Sequence, residues 1–441
     1  MKSLVALALF IFLSNCSFDN KSGIWKNENI SKKKNKNVFS EFETLNSSNK
    51  EFEKIIALNQ NYRFNLPKKI NNFEWKDIFY SKSNNLENFR YNNQNKKIFS
   101  SKKISRSKVN KNLLFERNNL IVSDLKGNII VYSVNDNKII RKFNFYKKNY
   151  KKLPKNLNII TENNIIYISD NFGYLYAFNY VLNKVIWAKN YKIPFRSNLK
   201  IHKDKLMLAN QANTLFYINK TNGEIIKSLP TEETVIKNNF INNLALNEKN
   251  LFFINTYGTL YSLNNRNMGI NWFLNLNQSS DLSPSNAFEG TQIVNANNKL
   301  IISSKDYLYI LNENNGSIIF KKNIPSLIRP IVIENHLFII TKKNLLISLD
   351  LNTGKFIYSY NINQKIADFL NSKKQIISLK TFFMINGKIK IFLNNSYFLD
   401  FNINGSLENV DKLPSKIYSN PIVIDNSILY LSNNNKLFIV D

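Results

Sequence analysis

One motif recurs eight times along this chain, and that repetition limits the folds open to it more than any other feature. Leu120, Ile121 and Val122 lead through Ser123, Asp124 and Gly127 to Ile129, Ile130, Val131 and Tyr132. Ile166, Tyr167 and Ile168 lead in the same way through Ser169, Asp170 and Gly173 to Leu175, Tyr176, Ala177 and Phe178. Related text begins at Leu206, Leu251, Leu300, Leu337, Ile389 and Ile428. Two short runs of β-branched and aromatic residues around a polar tip read as a β-hairpin. The tips hold Gly127, Gly173, Asn213, Gly258, Asp306, Asn344, Ser396 and Asn435, most of them residue types that tolerate a positive φ. They recur at a mean of roughly 44 residues, the period of a four-stranded propeller blade.

A second turn follows the hairpins and leads into a further strand, as at Thr221-Asn222-Gly223, Asn314-Asn315-Gly316, Asn352-Thr353-Gly354 and Asn404-Gly405. Trp187 and Trp272 stand at equivalent places in that outer strand, with Phe320 and Tyr358 there in two other units. Such a ring is expected to wedge between neighbouring blades, covering on the order of 150–250 Å². Arg141 and Lys227 hold the slot in the first and third units, which makes the wedge degenerate. A pair of β-sandwiches would not need so regular a spacing. The expected fold is all-β: an eight-bladed β-propeller of four-stranded antiparallel blades. The last unit stops at Asp441 after its third strand, so an N-terminal strand is expected to close the ring, and 96–101 has the length and pattern for it. Asn72 to Asp77, with Trp75, forms a further aromatic anchor.

The 441 residues are 43% hydrophobic and 13% aromatic, enough for a large core and too much for wholesale disorder. Lys plus Arg number 61 against 31 Asp plus Glu, a net charge of +30. Only 8 of these cations are Arg, the residue whose planar fork suits phosphate and base edges. The Lys excess is spread over the whole length beside abundant Asn, Ile and Phe, so nucleic acid is not the expected partner. The segment from Tyr146 to Lys152 interleaves aromatics with bases between the first two units, and reads as a solvated inter-blade loop.

Lys2 precedes the apolar run Leu4 to Leu13 and then Ser14, Asn15 and Cys16. That run is too short to span a bilayer as a helix and reads as a signal peptide over 1–15. Leu13-Ser14-Asn15-Cys16 is similar to a bacterial lipobox, which makes Cys16 the expected lipidation site. Cys16 is the only cysteine, so the mature chain has no thiol left for a disulfide, a cluster or a thiolate metal site. Multiple acyl chains on one residue give firm anchoring, since each buried CH₂ contributes about 0.8 kcal/mol. Ser17 in the following position favours sorting to the outer membrane, by resemblance to enterobacterial lipoproteins. The expected organisation is a signal peptide over 1–15, lipidated Cys16 and a flexible tether over 16–54, a segment completing the last blade over 55–105, and propeller repeats over 106–441.

The hairpin text I-Y-x-S-D-x-x-G-x-L-Y-A-F at Ile166 to Phe178, with its Trp-bearing outer strand and with the Asn-Gly turns that precede the outer strand in other units, resembles the PQQ-like β-propeller repeat. Joined to a lipoprotein signal, it resembles the BamB family of outer-membrane β-barrel assembly scaffolds over about residues 70 to 441. The resemblance implies a lipid-anchored protein on the periplasmic face of the outer membrane, holding periplasmic domains of a BamA-like protein beside other assembly lipoproteins. It implies no enzymatic activity and no cofactor. In that family an apolar-Arg-Gly segment between the third and fourth blades docks BamA. The matching stretch here is 235–240, with Ile236 and Lys237 at the apolar and basic positions and Phe240 close by. Asn238 stands where the family has Gly, a departure from the pattern that leaves a merely structural inter-blade connection open as the other reading of this stretch. The long polar stretch from Gln278 to Gly290 is the second candidate partner surface.

Two other readings stay open at this level. Propellers of this repeat also serve pyrroloquinoline quinone dehydrogenases, which hold the quinone over a metal ion with carboxylate ligands, commonly beneath a vicinal cysteine pair that this chain cannot form. A periplasmic propeller binding polysaccharide or peptide is the other. His202 and His336, the only histidines, fall at turns before hairpins and read as surface turn residues rather than metal ligands. Asp124, Asp170 and Asp350 sit at repeat positions, which reads as turn chemistry. No nucleophile elbow, zinc-binding His pair or phosphate loop is present.

Overall fold

Each repeated hairpin forms the middle pair of a four-stranded antiparallel blade, and eight such blades make the propeller. This is a computed structural model, which describes residues 16–19, 24–27, 51–146, 150, 152–234, 242–277, 287–326 and 328–441. The chain forms two compact units, residues 1–51 and 52–441. In the first, Cys16–Asp19 pairs antiparallel with Ile24–Asn27. The second holds the propeller. Its first seven blades run consecutively, from Leu114–Glu116 as the inner strand of the first to Leu407–Lys412 as the outer strand of the seventh.

Burial along the strands shows why the middle pair carries the sequence signal. In the first blade, Asn119–Ser123 and Asn128–Ser133 are buried on both faces, because each blade is sandwiched between its neighbours. Strands buried on both faces read as continuous apolar runs. The outer strands alternate: Ile225–Pro230 and Ile270–Asn275 each expose every second residue at least. A bulge recurs where third and fourth strands pair, with the extra residue in the fourth, as between Ala177↔Trp187 and Phe178↔Val185. A bulge strengthens local twist, which turns the outer strand along the neighbouring blade.

Seven of the eight hairpin tips place the expected residue at positive φ, from Asn435 at 55° to Gly173 at 86°. The exception is Asp306. There Ser303 pairs directly with Leu308, a tip one residue shorter than Ile340 to Leu346, so no left-handed residue is needed. The turn chemistry of the acidic repeat residues is visible. Asp124 Oδ1 accepts from the amides of Lys126 and Asn128 at 3.0 and 3.1 Å, and Asp170 Oδ1 from those of Phe172 and Tyr174 at 2.9 and 2.8 Å. Asp350 caps the second turn of its blade through the amides of Asn352 and Thr353.

The eighth blade is closed by the N-terminal part of the chain. Lys97–Lys103 runs antiparallel beside Lys436–Val440, with Phe99 opposite Ile439 and Ser100 opposite Phe438. Reciprocal bonds between Lys96 and Asp441, at 3.1 and 2.9 Å, lock the end. The sequence placed this strand at 96–101; it continues to Lys103.

Residues 72–89 do something the sequence did not announce: they make one full circuit of the propeller axis. Asn72 bonds Val423 of the eighth blade, Trp75 exchanges both backbone bonds with Phe115 of the first, and Lys76 accepts from Thr161 of the second. Asp77 pairs with Lys200 of the third, while Asn84 Nδ2 donates to Leu244 of the fourth and Ile293 of the fifth. Asn85 bonds Val332 of the sixth, and Asn88–Phe89 adds a short parallel strand beside Met384 and Ile385 of the seventh. This axial strap satisfies inner-strand groups that would otherwise face an open channel.

Both histidines are buried, at 4% and 5% exposure for His202 and His336, which corrects the surface reading. His336 is covered by the segment ahead of the strap. Its Nε2 shares a hydrogen bond with the Tyr62 hydroxyl at 2.9 Å, and its ring lies 4.9 Å from that of Phe64. A cover made by residues nearly three hundred positions earlier leaves no local trace. The other unforeseen element is the helix Ile362–Phe369, inserted between the sixth and seventh blades and capped by Asn361, whose side chain accepts from the amide of Gln364. Among the described residues no helix is long and apolar enough to cross a membrane.

Candidate partner surface and axial cavity

The blade seams come first, because they fix where every loop emerges. Trp187 Nε1 donates to the carbonyl of Lys220 in the next blade at 3.0 Å, and Trp272 Nε1 to that of Glu313 at 3.1 Å. Arg141 reaches the carbonyls of Tyr180 and Val181 at 2.9 and 3.0 Å, and Lys227 reaches that of Met268 at 2.8 Å. The slot is therefore not degenerate in the first and third units. In these four units a donor reaches across the seam to a turn carbonyl, and indole, guanidinium and ammonium all supply one. Gly223, Gly316 and Gly354 lie under Trp187, Trp272 and Phe320, where an added Cβ would come within 2.6, 2.5 and 2.8 Å of the ring. In the sixth blade Tyr358 is fully buried, and Tyr360 stacks 5.1 Å from it and covers Gly405.

Ile236, Lys237 and Phe240 lie outside the described residues, as does the Gln278 to Gly290 stretch up to residue 286. The bases of both loops are described, and they meet. Glu232 accepts from Thr259 Oγ1 at 2.7 Å and the Tyr261 hydroxyl at 2.8 Å, and also holds the Asn255 amide. Beyond the first loop, Asn242 is buried and bonds Asn213 at 3.1 Å, while Thr256 donates its hydroxyl to Asn213 at 2.8 Å. From the second loop, the Phe288 amide donates to Thr256 O at 2.8 Å, and its ring packs on Gly258. Residues 255–259, the hairpin tip of the fourth blade, thus clamp the bases of both candidate loops. Burial and then Glu232 raise the Tyr261 hydroxyl above its ordinary range, keeping it a neutral donor to that carboxylate. The sequence hinted at neither Glu232 nor Thr256, since each acts through a contact between blades.

A cavity of about 290 Å³ lies on the axis beside the strap. Trp75, Phe79 and Phe383 contribute apolar surface, and Asn112, Thr291, Gln292, Arg329, Lys380 and Asn420 are among its polar lining. Gly290, the end of the second loop, stands at its edge. Arg329 Nη1 donates to Phe79 O at 2.8 Å, and burial pulls its guanidinium down to about 10, partly opposed by Asp77. Lys380 donates to Tyr418 O at 2.8 Å; burial, then Lys111, pull its ammonium down to about 8.

These residues do not suit a quinone-bearing metal centre. The lining contains no Asp, Glu, His or Cys, and among the described residues no group of three or more such side chains could hold a metal ion.

An eight-bladed ring of PQQ-like repeats, strapped through its axis and closed by its own N-terminal strand, defines the class. The chain belongs to the family described as outer membrane protein assembly factor BamB, whose family pattern matches residues 126–360. No curated protein matches it significantly. Among solved structures it is similar to BamB from Moraxella catarrhalis, with a TM-score of 0.61 at 13% identity, covering 78% of this chain and 99% of that one. The computationally designed protein Ika8 gives 0.58 at 9% identity, over 78% of this chain and 99% of its own. A europium-containing methanol dehydrogenase gives 0.57 at 10%, over 83% of this chain and 89% of that one. At such identities these likenesses speak for the fold alone.

Proposed function

We propose that this protein is a non-enzymatic scaffold lipoprotein of outer-membrane β-barrel assembly. Cys16 carries the lipid that tethers it to the periplasmic face of the outer membrane. It docks periplasmic domains of a BamA-like protein through Ile236, Lys237 and Phe240, with the 278–290 stretch as the second partner surface. Family membership supports the class of work. The observation that carries the docking site is the shared clamp of both loop bases on the fourth-blade tip, because a partner surface needs neighbouring side chains held by a rigid base. Trp187, Trp272, Phe320 and Tyr358 serve the ring itself, as inter-blade residues.

A second reading, a propeller binding polysaccharide or peptide, draws on one feature. Phe145, Tyr146, Tyr150, Tyr174 and Tyr176 line a cleft of about 410 Å³ between the first two blades, with Phe145 stacked 4.1 Å from Tyr176. Ring platforms of this kind take sugar faces and apolar side chains. A relative of the quinone dehydrogenases is the least supported, given the donor chemistry of the axial cavity.

The experiment is affinity purification of the tagged lipoprotein from native membranes, with identification of what accompanies it, beside a dye-reduction assay with pyrroloquinoline quinone, calcium or a lanthanide, and an alcohol. Co-purification of a BamA-like protein without dye reduction supports the scaffold. Cofactor-dependent turnover with no such companion would overturn it.

A further inference from the structure

The axial cavity has a composition that a structural void does not need. Interior voids left by packing are apolar and dry, or polar and balanced. This one presents hydrogen-bond donors and positive charge, with no carboxylate in its lining. Asp77, the nearby acid, is already engaged by Lys200, with Nζ 2.7 Å from Oδ2. Neither Arg329 nor Lys380 has a carboxylate within ion-pair distance among the described residues. Each is held by a single backbone carbonyl, of Phe79 and Tyr418 respectively. Arg329 therefore keeps several N–H groups, and Lys380 two, without a protein acceptor.

Two further polar groups in the cavity wall lack a protein partner. Trp75 is 3% exposed and its indole Nε1 has no hydrogen-bond partner; Thr291 Oγ1 is also buried and unpartnered. Both residues line the cavity. The amides of Asn112, Gln292 and Asn420 complete the polar wall.

We propose that the axial cavity is a binding site for a small oxyanion, a carboxylate- or phosphate-bearing molecule, held by Arg329 and Lys380 over the Trp75 floor. The guanidinium presents the planar fork that suits either group, and the ammonium supplies a point charge. The cavity volume admits a compact organic anion and excludes a polymer. The site adjoins the end of the second loop at Gly290. Lys111 is the charged group acting on Lys380; Asp77 and Lys200 lie on the Arg329 side. The bound anion favours the charged ammonium, so affinity falls as pH rises through about 8.

The test is isothermal titration calorimetry of the full chain at low ionic strength with citrate and, separately, with inorganic phosphate. The expected result is saturable one-to-one binding of at least one anion, weakened at least tenfold by Lys380→Gln and by Arg329→Gln. Exposed Lys373→Gln should leave it unchanged, and wild-type affinity should drop between pH 7 and pH 9. Citrate binding alone identifies the carboxylate source, and phosphate binding alone the phosphate source. Circular dichroism checks each variant; if Arg329→Gln fails to fold, Lys380→Gln carries the comparison. Absence of binding by both anions at 10 mM, or binding that ignores Lys380, overturns the proposal.

Discussion

Lys200 and Asp77 form a buried ion pair that fastens the axial strap to the third blade, with Nζ 2.7 Å from Oδ2 and side-chain exposures of 1% and 8%. The ammonium also donates to Ser81 O at 2.8 Å and Asn84 Oδ1 at 2.5 Å, so the strap curls around one cation. Burial pulls the Lys200 ammonium down and Asp77 opposes that pull. Removing one partner leaves the other charged in a poor solvent, whereas removing both leaves a packing defect. Lys200→Met is expected to cost about 3 kcal/mol, and Lys200→Met with Asp77→Leu to recover at least half of it. Midpoints of thermal unfolding for the three proteins check this. A single variant as stable as the double would show that the pair does not hold the strap.

The seams make a second prediction. Gly316 has φ of 72° and sits under Trp272 with no room for a methyl group. Gly316→Ala is expected to destabilise by about 2 kcal/mol, combining left-handed strain with displacement of the ring. Arg141→Ala should loosen the first seam as Trp272→Ala loosens the fourth, because both remove a donor to a turn carbonyl. Urea unfolding followed by tryptophan fluorescence reads all three.

A third concerns pH. Burial lowers the pKa of both His336 and His202 from the ordinary 6.5, so each folds as neutral imidazole. The unfolded chain then binds protons more readily than the folded one between the two values. Stability is complete above pH 6.5 and is lost as pH falls below it. His336→Phe is expected to flatten the dependence of unfolding temperature on pH between 7.5 and 5.5, with His202 accounting for part of what remains. An unchanged slope in His336→Phe would remove the Tyr62 contact from the account.

What could be read from the chain, and what could not, divides along one physical line. The hairpins were legible because strands buried on both faces need continuous apolar runs, and their tips need Gly or Asn at positive φ. The closing strand was legible because a missing outer strand must be supplied from elsewhere. The strap was not. Asn72, Asp77, Asn84 and Asn85 hold it through side-chain bonds to five different blades, and such bonds have no sequence period. Arg141 and Lys227 looked like exceptions beside Trp187 because what they share with it is donation across a seam, whereas ring shape is what it shares with Phe320. Arg329 carried one faint signal, as an arginine in a chain that writes nearly every other cation as lysine.

The fourth prediction tests the anchor. Cys16→Ser should move the protein from the membrane fraction to the soluble periplasm, read by fractionation and immunoblot. Unchanged membrane association would remove the lipid from the account.

The central claim is that the loops clamped on the fourth-blade tip hold a BamA-like partner, and it is tested by affinity. Surface plasmon resonance between the protein and the periplasmic domains of the BamA-like protein from the same organism should show binding that Ile236→Ala with Lys237→Glu weakens by about 2 kcal/mol or more, the scale of a hot spot. The unfolding temperature of that variant should match wild type. Binding of equal strength in the variant, or no binding by the wild type, would contradict the account.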